Sequence, residues 1–349
     1  MRPMSELRTV EWMKGQVRMI DQTQLPNRFI YVYLKNYGQV AKAIRDMTVR
    51  GAPAIGVAAA MGMALAAHSN RTKPREWLLK EMQIASETLK ASRPTAQNLF
   101  WAVERVLQRA RNTPVADDIA AVVVEEAKKM AEEDIAANLS IGRFGAALIS
   151  DGDQILTHCN TGTLATVNYG TALAPVRTAV REGKKVRVVA TETRPRLQGA
   201  KLTTYELLSD RIPVTLIVDG AAGYVIKSGM IQKAIVGADR ITTEYVANKV
   251  GTYLIALAAK DNQIPFYVAA PTSTFDLRRG NSKIKIEQRG AKEVTHINGR
   301  RIPPKGVSVY NPAFDLTPVE LVKGFITEKG VFKPDSLTAD PSVLHANLT

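Results

Sequence analysis

The stretch Ile155-Leu156-Thr157-His158-Cys159-Asn160-Thr161-Gly162-Thr163 passes from a short β-rich run into polar, glycine-bearing chain, and a helical pattern follows from about Leu164. That order of textures predicts a strand, a loop and a helix start. The change recurs downstream, at the ends of Val186 to Thr191, Val214 to Asp219, Ala234 to Asp239 and Phe266 to Ala270. β-rich runs alternating with helical ones imply parallel strands joined by right-handed crossovers. Residues 151–334 are therefore expected to form an α/β domain with a doubly wound parallel sheet. In such a sheet, ligands bind beyond the carboxyl ends of the strands. The polar residues at those ends become the candidates for chemistry.

Upstream the pattern differs. Within residues 8–21 two short alternating runs flank Lys14-Gly15, which predicts an N-terminal β-hairpin. From Gly38 to Ile149 apolar residues recur at helical spacing, in Trp77 to Leu89, Leu99 to Ala110 and Ile119 to Ala136. Residues 1–150 are thus expected to be a small, mainly helical domain with a hairpin at its start. Residues 335–349 carry no motif and form a C-terminal tail.

Pro53 to Ala67 is uncharged but falls short of the roughly 20 residues that cross a bilayer, so it predicts a buried helix and no membrane partner. Met1 to Val10 mixes Arg and Glu without an apolar core, which argues against a secretory signal and for a cytoplasmic protein. One cysteine in 349 residues excludes an intrachain disulfide and a cysteine-cluster metal site. The net charge of +14 comes from dispersed Lys and Arg with no aromatic-rich motif beside them, so a solvated surface is preferred to nucleic-acid binding.

At the strand ends, Cys159 admits two readings. It is either a small buried hydrophobe or, facing a helix N-terminus, a thiol whose anion is stabilised. Thr191 to Gly199 is unusually rich in charged and hydrogen-bonding groups for a βα connection. Asp219 reads as a helix cap. Asp239 leaves an apolar run with Arg240 beside it, so a cap, an ion pair and a catalytic carboxylate all remain open. Asn248-Lys249 precedes a helix over Val250 to Lys260, and Arg50-Gly51-Ala52-Pro53 opens another. A cation at a helix start opposes the helix dipole unless an anion sits between them, and a shared phosphate would meet that condition.

Together the ordered strings VEWMKGQVRMIDQTQLP (10–26), RDMTVRGAPAIGVAAA (45–60), THCNTGTLATVNYGTAL (157–173), TETRPRLQGAKLTTYEL (191–207), VGADRI (236–241), ANKVGTY (247–253), PFYVAAPTSTFD (265–276) and VYNPAFDLTP (309–318) resemble the methylthioribose-1-phosphate isomerase family. The resemblance implies conversion of 5-methylthioribose 1-phosphate to 5-methylthioribulose 1-phosphate in methionine salvage, with no metal and no organic cofactor. It implies Cys159 and Asp239 as the catalytic pair, and Arg50, Gly51, Ala52 and Arg93 as the phosphate site. Gln198, Asn248 and Lys249 would complete substrate binding. It also implies a helical domain followed by a Rossmann-like domain, and a homodimer.

The segment ITTEYVA after Arg240 is shorter than the family's usual loop and lacks its Asn-Gly turn, and Asp219-Gly220-Ala221-Ala222-Gly223 has Gly where the family commonly has Asn. Two related alternatives follow: an isomerase of 5-deoxyribose 1-phosphate or ribose 1,5-bisphosphate, or a non-catalytic module like the regulatory subunits of the translation-initiation exchange factor.

Overall fold

The computed structural model describes residues 3–93, 97–277, 284–297 and 299–339. Within them the chain forms two compact units, one from the chain up to Leu139 with Thr161–Leu173, the other from Ser140–Asn160 and the chain from Ala174 onward. The sequence suggested one crossing near residue 150; the chain makes three. One reason is that the long helix through residue 139 has no break there. The other is that residues 161–173 are tied to the first unit. Leu164 O accepts from Gln22 Nε2 at 2.7 Å, Thr163 O from Thr9 Oγ1 at 2.7 Å, and Val167 N donates to Asp134 Oδ2 at 2.7 Å.

In the first unit, β1 (Val10–Met13) and β2 (Gln16–Ile20) pair antiparallel. Lys14 and Gly15 both have positive φ, as a two-residue hairpin turn of this hand needs. A third strand, β3 (Tyr31–Leu34), joins β2. Five helices follow: α1 (Tyr37–Arg45), α2 (Ala52–Ser69), α3 (Arg75–Ser92), α4 (Gln97–Arg111) and α5 (Ala116–Ala146). Asn36 starts α1 by accepting from Gln39 N. Every residue of α2 from Ala54 to Ala67 is buried, so a helix long and apolar enough to span a bilayer is here the core of its unit.

In the second unit the elements run β4 (Gln154–Thr157), α6 (Leu173–Arg181), β5 (Arg187–Thr191), α7 (Thr204–Ser209), β6 (Val214–Ile217), α8 (Ala222–Lys227) and β7 (Lys233–Val236). The chain continues through β8 (Arg240–Ile241), β9 (Tyr245–Lys249), α9 (Thr252–Asp261), β10 (Phe266–Ala269), α10 (Lys292–Thr295), β11 (His296–Ile297) and β12 (Arg300–Arg301). It ends in β13 (Phe314–Pro318), β14 (Gly324–Thr327), β15 (Gly330–Phe332) and α11 (Ser336–Ala339).

The main sheet has the order β6-β5-β4-β7-β10-β14-β15 and is parallel except for β15. All five strands expected from the sequence lie in it. Their near-continuous apolar runs, buried in β4, β5 and β7, are what a sheet covered on both faces requires. The order is that of a doubly wound, Rossmann-like sheet.

A separate antiparallel sheet, β13-β9-β8, and the two-stranded β11-β12 complete the unit. The tail starts as docked structure, because Leu337 is fully buried in the core of this unit. Its residues 340–349 lie outside the described chain.

Candidate active site

Two strand additions diverge from β4. β5 and β6 extend the sheet on one side, β7 and β10 on the other, so the order reverses between β4 and β7. A crevice opens at such a switch point beyond the carboxyl ends of the strands. The pair is in register there, with Leu156 opposite Ala234 and Thr157 Oγ1 donating to Ile235 O at 2.9 Å. Cys159 follows β4 by two residues and Asp239 follows β7 by three.

The backbone at this edge is strained. Cys159, Thr193 and Leu197, none of them glycine, have φ of 63°, 63° and 61°. Left-handed conformations cost energy for residues with a Cβ and gather at functional sites. Hydrogen bonds pin them. Cys159 N donates to Thr193 Oγ1 at 2.9 Å, and Cys159 O accepts from Thr203 Oγ1 at 2.6 Å. Thr193 N and Arg194 N in turn donate to the two oxygens of Asp219, at 2.8 and 2.6 Å. Asp219, read from the sequence as a helix cap, instead holds the loop after β5. The next residue, Asn160, is buried and donates to Glu206 Oε1 at 2.8 Å, and Glu206 is ion-paired with the buried Arg177. The backbone on both sides of the thiol is fixed.

One expectation fails here. Beyond Cys159 there is only a single 3-10 turn, Thr163–Ala165, and the next helix is α6 from Leu173. The conformation that carries Thr161 to Gly170 into the first unit prevents a helix from starting at Leu164, so no helix N-terminus follows directly to stabilise the thiolate.

Asp239 is half-buried, and its N–H donates to Ala247 O at 2.9 Å, which joins the end of β7 to β9. Its neighbour Arg240 pairs with Asp276 at 2.7 Å. Gln198 is buried, and its Oε1 has no hydrogen-bond partner among the described residues. A buried amide oxygen left so is costly and fits a group that waits for a ligand. Gln198 also leads into the π-helical turn Gly199–Thr203, a form common at functional sites.

Asn248 and Lys249 occupy the end of β9 rather than a helix start; α9 begins at Thr252, after Gly251. Pairing with β13 keeps them extended. Asn248 Nδ2 donates to Thr252 Oγ1 at 3.0 Å, and Lys249 Nζ donates to Ala313 O at 2.8 Å over the ring of Phe314. From β13, Asp315 Oδ2 accepts from Gly251 N and Tyr253 N and caps α9. Burial pushes the Asp315 carboxyl up to about 6, against these hydrogen bonds and the Lys249 charge.

The remaining predicted residues belong to the first unit. Arg50 is buried and precedes Gly51, the N-cap of α2, with Ala52 as the first helical residue. Gly51 supplies no capping side chain, so the first N–H groups of a long helix are open to an anion. Only glycine fits at 51, where φ is +88° and an added Cβ would lie 2.3 Å from Ala165 O. Arg93, half-buried, closes the C-terminal end of α3. Among the described residues, no group of three or more His, Cys, Asp or Glu is arranged to hold a metal.

A Rossmann-like sheet with a strained cysteine and a carboxylate at its switch point defines an α/β protein with an active-site-like corner. Known proteins narrow the class. Residues 48–334 match the Initiation factor 2 subunit family. The methylthioribose-1-phosphate isomerase of Geobacter metallireducens is 51% identical over 332 residues, 94% of this chain and 96% of the relative. That of Acetivibrio thermocellus is also 51% identical, over 94% and 97%. Among solved structures, 5-methylthioribose 1-phosphate isomerase from Pyrococcus horikoshii superposes with a TM-score of 0.90 at 43% identity, covering 98% of this chain and 96% of that one. Translation initiation factor eIF-2B, subunit delta, from A. fulgidus gives 0.88 at 46%, covering 97% and 100%. The chain belongs to the methylthioribose-1-phosphate isomerase family, within the wider Initiation factor 2 subunit family.

Proposed function

We propose that the chain converts 5-methylthioribose 1-phosphate to 5-methylthioribulose 1-phosphate, using Cys159 and Asp239. The phosphate on the anomeric oxygen blocks ordinary ring opening, so the bond between C1 and the ring oxygen must break by another route. In net terms the ring oxygen gains a proton, the hydrogen on C2 passes to C1, and the 2-hydroxyl loses its proton as C2 becomes the ketone carbon. Asp239 serves the oxygen-bound protons and Cys159 the transfer between C2 and C1. The observation that carries this reading is their emergence from adjacent parallel strands at the switch point, with Cys159 held in a left-handed conformation.

Arg50, Gly51, Ala52 and Arg93 bind the phosphate, helped by the uncapped start of α2. Gln198, Asn248 and Lys249 bind the sugar, and the buried Gln198 Oε1 supports its part in this. The protein works in the cytoplasm as a homodimer. Exposed apolar side chains support the dimer: Val218 after edge strand β6, Tyr224 of α8 and Leu254 of α9 are 60%, 76% and 69% exposed.

The 46% identity to an initiation-factor subunit supports a second reading, a binding subunit without catalysis. A substrate panel of methylthioribose 1-phosphate, 5-deoxyribose 1-phosphate and ribose 1,5-bisphosphate separates the two. Fastest turnover of the methylthio sugar is expected. Turnover of none of the three would replace the isomerase reading with the second one.

A further inference from the structure

His158 precedes Cys159 and is 1% exposed, between the end of β4 and the start of α9. Its Nε2 lies 2.9 Å from Val250 O. A carbonyl only accepts, so Nε2 carries a hydrogen. Burial of the ring, more than the nearby Lys249 charge, depresses its pKa and holds the imidazole neutral. Nδ1 then has a free lone pair and accepts from Thr191 Oγ1 at 2.6 Å. With the Thr191 hydrogen committed, the hydroxyl of Thr193 gives its own hydrogen to Thr191, to Oγ1 at 3.2 Å or to the carbonyl at 3.3 Å. Thr193 Oγ1 finally accepts from Cys159 N at 2.9 Å. Contacts of 2.6, 3.2 and 2.9 Å through the Thr191 and Thr193 hydroxyls thus run from the imidazole to the backbone of the strained cysteine.

The ring itself is boxed in. Gly251, at φ +107°, lies against it, and an added Cβ there would stand 3.0 Å from His158 Cε1. Gly251 N is held by Asp315. Both ring nitrogens are engaged, and a side chain at 251 would crowd the ring.

We infer that His158 is a positioning residue for the isomerisation, setting through Thr191 and Thr193 the left-handed backbone from which Cys159 presents its thiol. The inference rests on the isomerase reading above only for what the thiol is presented to. The contacts end at Cys159 N, so the role assigned to them is to set where Sγ sits. Misplacing a reacting group by about an ångström costs on the order of a hundredfold in rate.

Thr191→Val removes the hydroxyl and keeps the shape, whereas Thr191→Ser keeps the hydroxyl. Thr191→Val is expected to lower kcat by about tenfold or more while KM changes by less than about twofold, and Thr191→Ser to recover most of the loss. Because Cys159 is the only cysteine in the chain, its iodoacetamide alkylation rate reports on the same atom without any substrate. That rate is expected to rise several-fold, about three or more, in Thr191→Val as the loop relaxes, and to stay near wild type in Thr191→Ser. Thr193→Val against Thr193→Ser repeats the contrast one link nearer the cysteine, so a misfolded variant at one position leaves the other to decide. Wild-type alkylation in the folded valine variants, or serine variants as altered as the valine ones, would overturn the inference. A wild-type protein that turns over none of the panel sugars overturns the isomerase reading instead, and the alkylation contrast still decides the positioning role.

Discussion

Helix α2 in the first unit and the Cys159–Thr193–Leu197 corner in the second use opposite means to hold a structure. From Ala54 to Ala67 α2 is buried on every side, and its regular helix satisfies its own backbone. The corner is polar and partly exposed, keeps three side-chain-bearing residues at positive φ, and depends on hydroxyl, carboxylate and amide side chains to stay there. The difference separates stability from chemistry. Damage to α2 should appear in the folding equilibrium, and damage to the corner in turnover.

The largest expected effect on that contrast is in α2. Leu65→Ala should lose about 2–5 kcal/mol of unfolding free energy in a denaturant titration, while kcat per folded molecule stays near wild type. A large fall in kcat with stability intact would erase the distinction.

Arg50→Ala at the start of the same helix probes where the two roles meet. KM should rise by roughly tenfold or more with a smaller change in kcat, as loss of a ground-state phosphate contact requires. An unchanged KM would remove Arg50 from the phosphate site.

The smallest effect concerns the cap of α9. The Asp315 carboxyl titrates near 6 in the folded protein and near 3.8 when unfolded, so the unfolded chain releases its proton first as pH rises. Folded wild type therefore loses stability from pH 4 to about 6 on account of this group, and no more above that. Asp315→Asn keeps an oxygen for Gly251 N and Tyr253 N and carries no charge. Its stability relative to wild type should grow across that window and then level off, as read from melting temperatures over pH. A difference that shrinks with rising pH would reverse the sign.

Much of this was legible in the sequence because it is local. Apolar runs buried on both faces announce β4, β5, β7 and β10, Lys14-Gly15 announces the hairpin, and helical periodicity announces α3, α4 and α5. What depends on distant partners was not. Lys249 reads as a helix start until Phe314–Pro318 pairs with Tyr245–Lys249 and keeps it in a strand. Asp219 reads as a cap until the loop after β5 folds onto its carboxylate. His158 stands in the most informative motif, but nothing local marks it, because Thr191, Thr193 and Val250 are brought to it only by the fold. Cys159 and Asp239 stand out as candidates at strand ends, and the family resemblance is what pairs them as catalytic residues. What the structure adds is their shared place at the switch point and the strain on one of them.

The most direct test is conversion of methylthioribose 1-phosphate, followed by ³¹P NMR, by wild type and by Cys159→Ser and Asp239→Asn with confirmed melting temperatures. Conversion by wild type and at least about a hundredfold slower conversion by each variant is the predicted result. Near wild-type conversion by either folded variant would contradict the assignment of the catalytic pair.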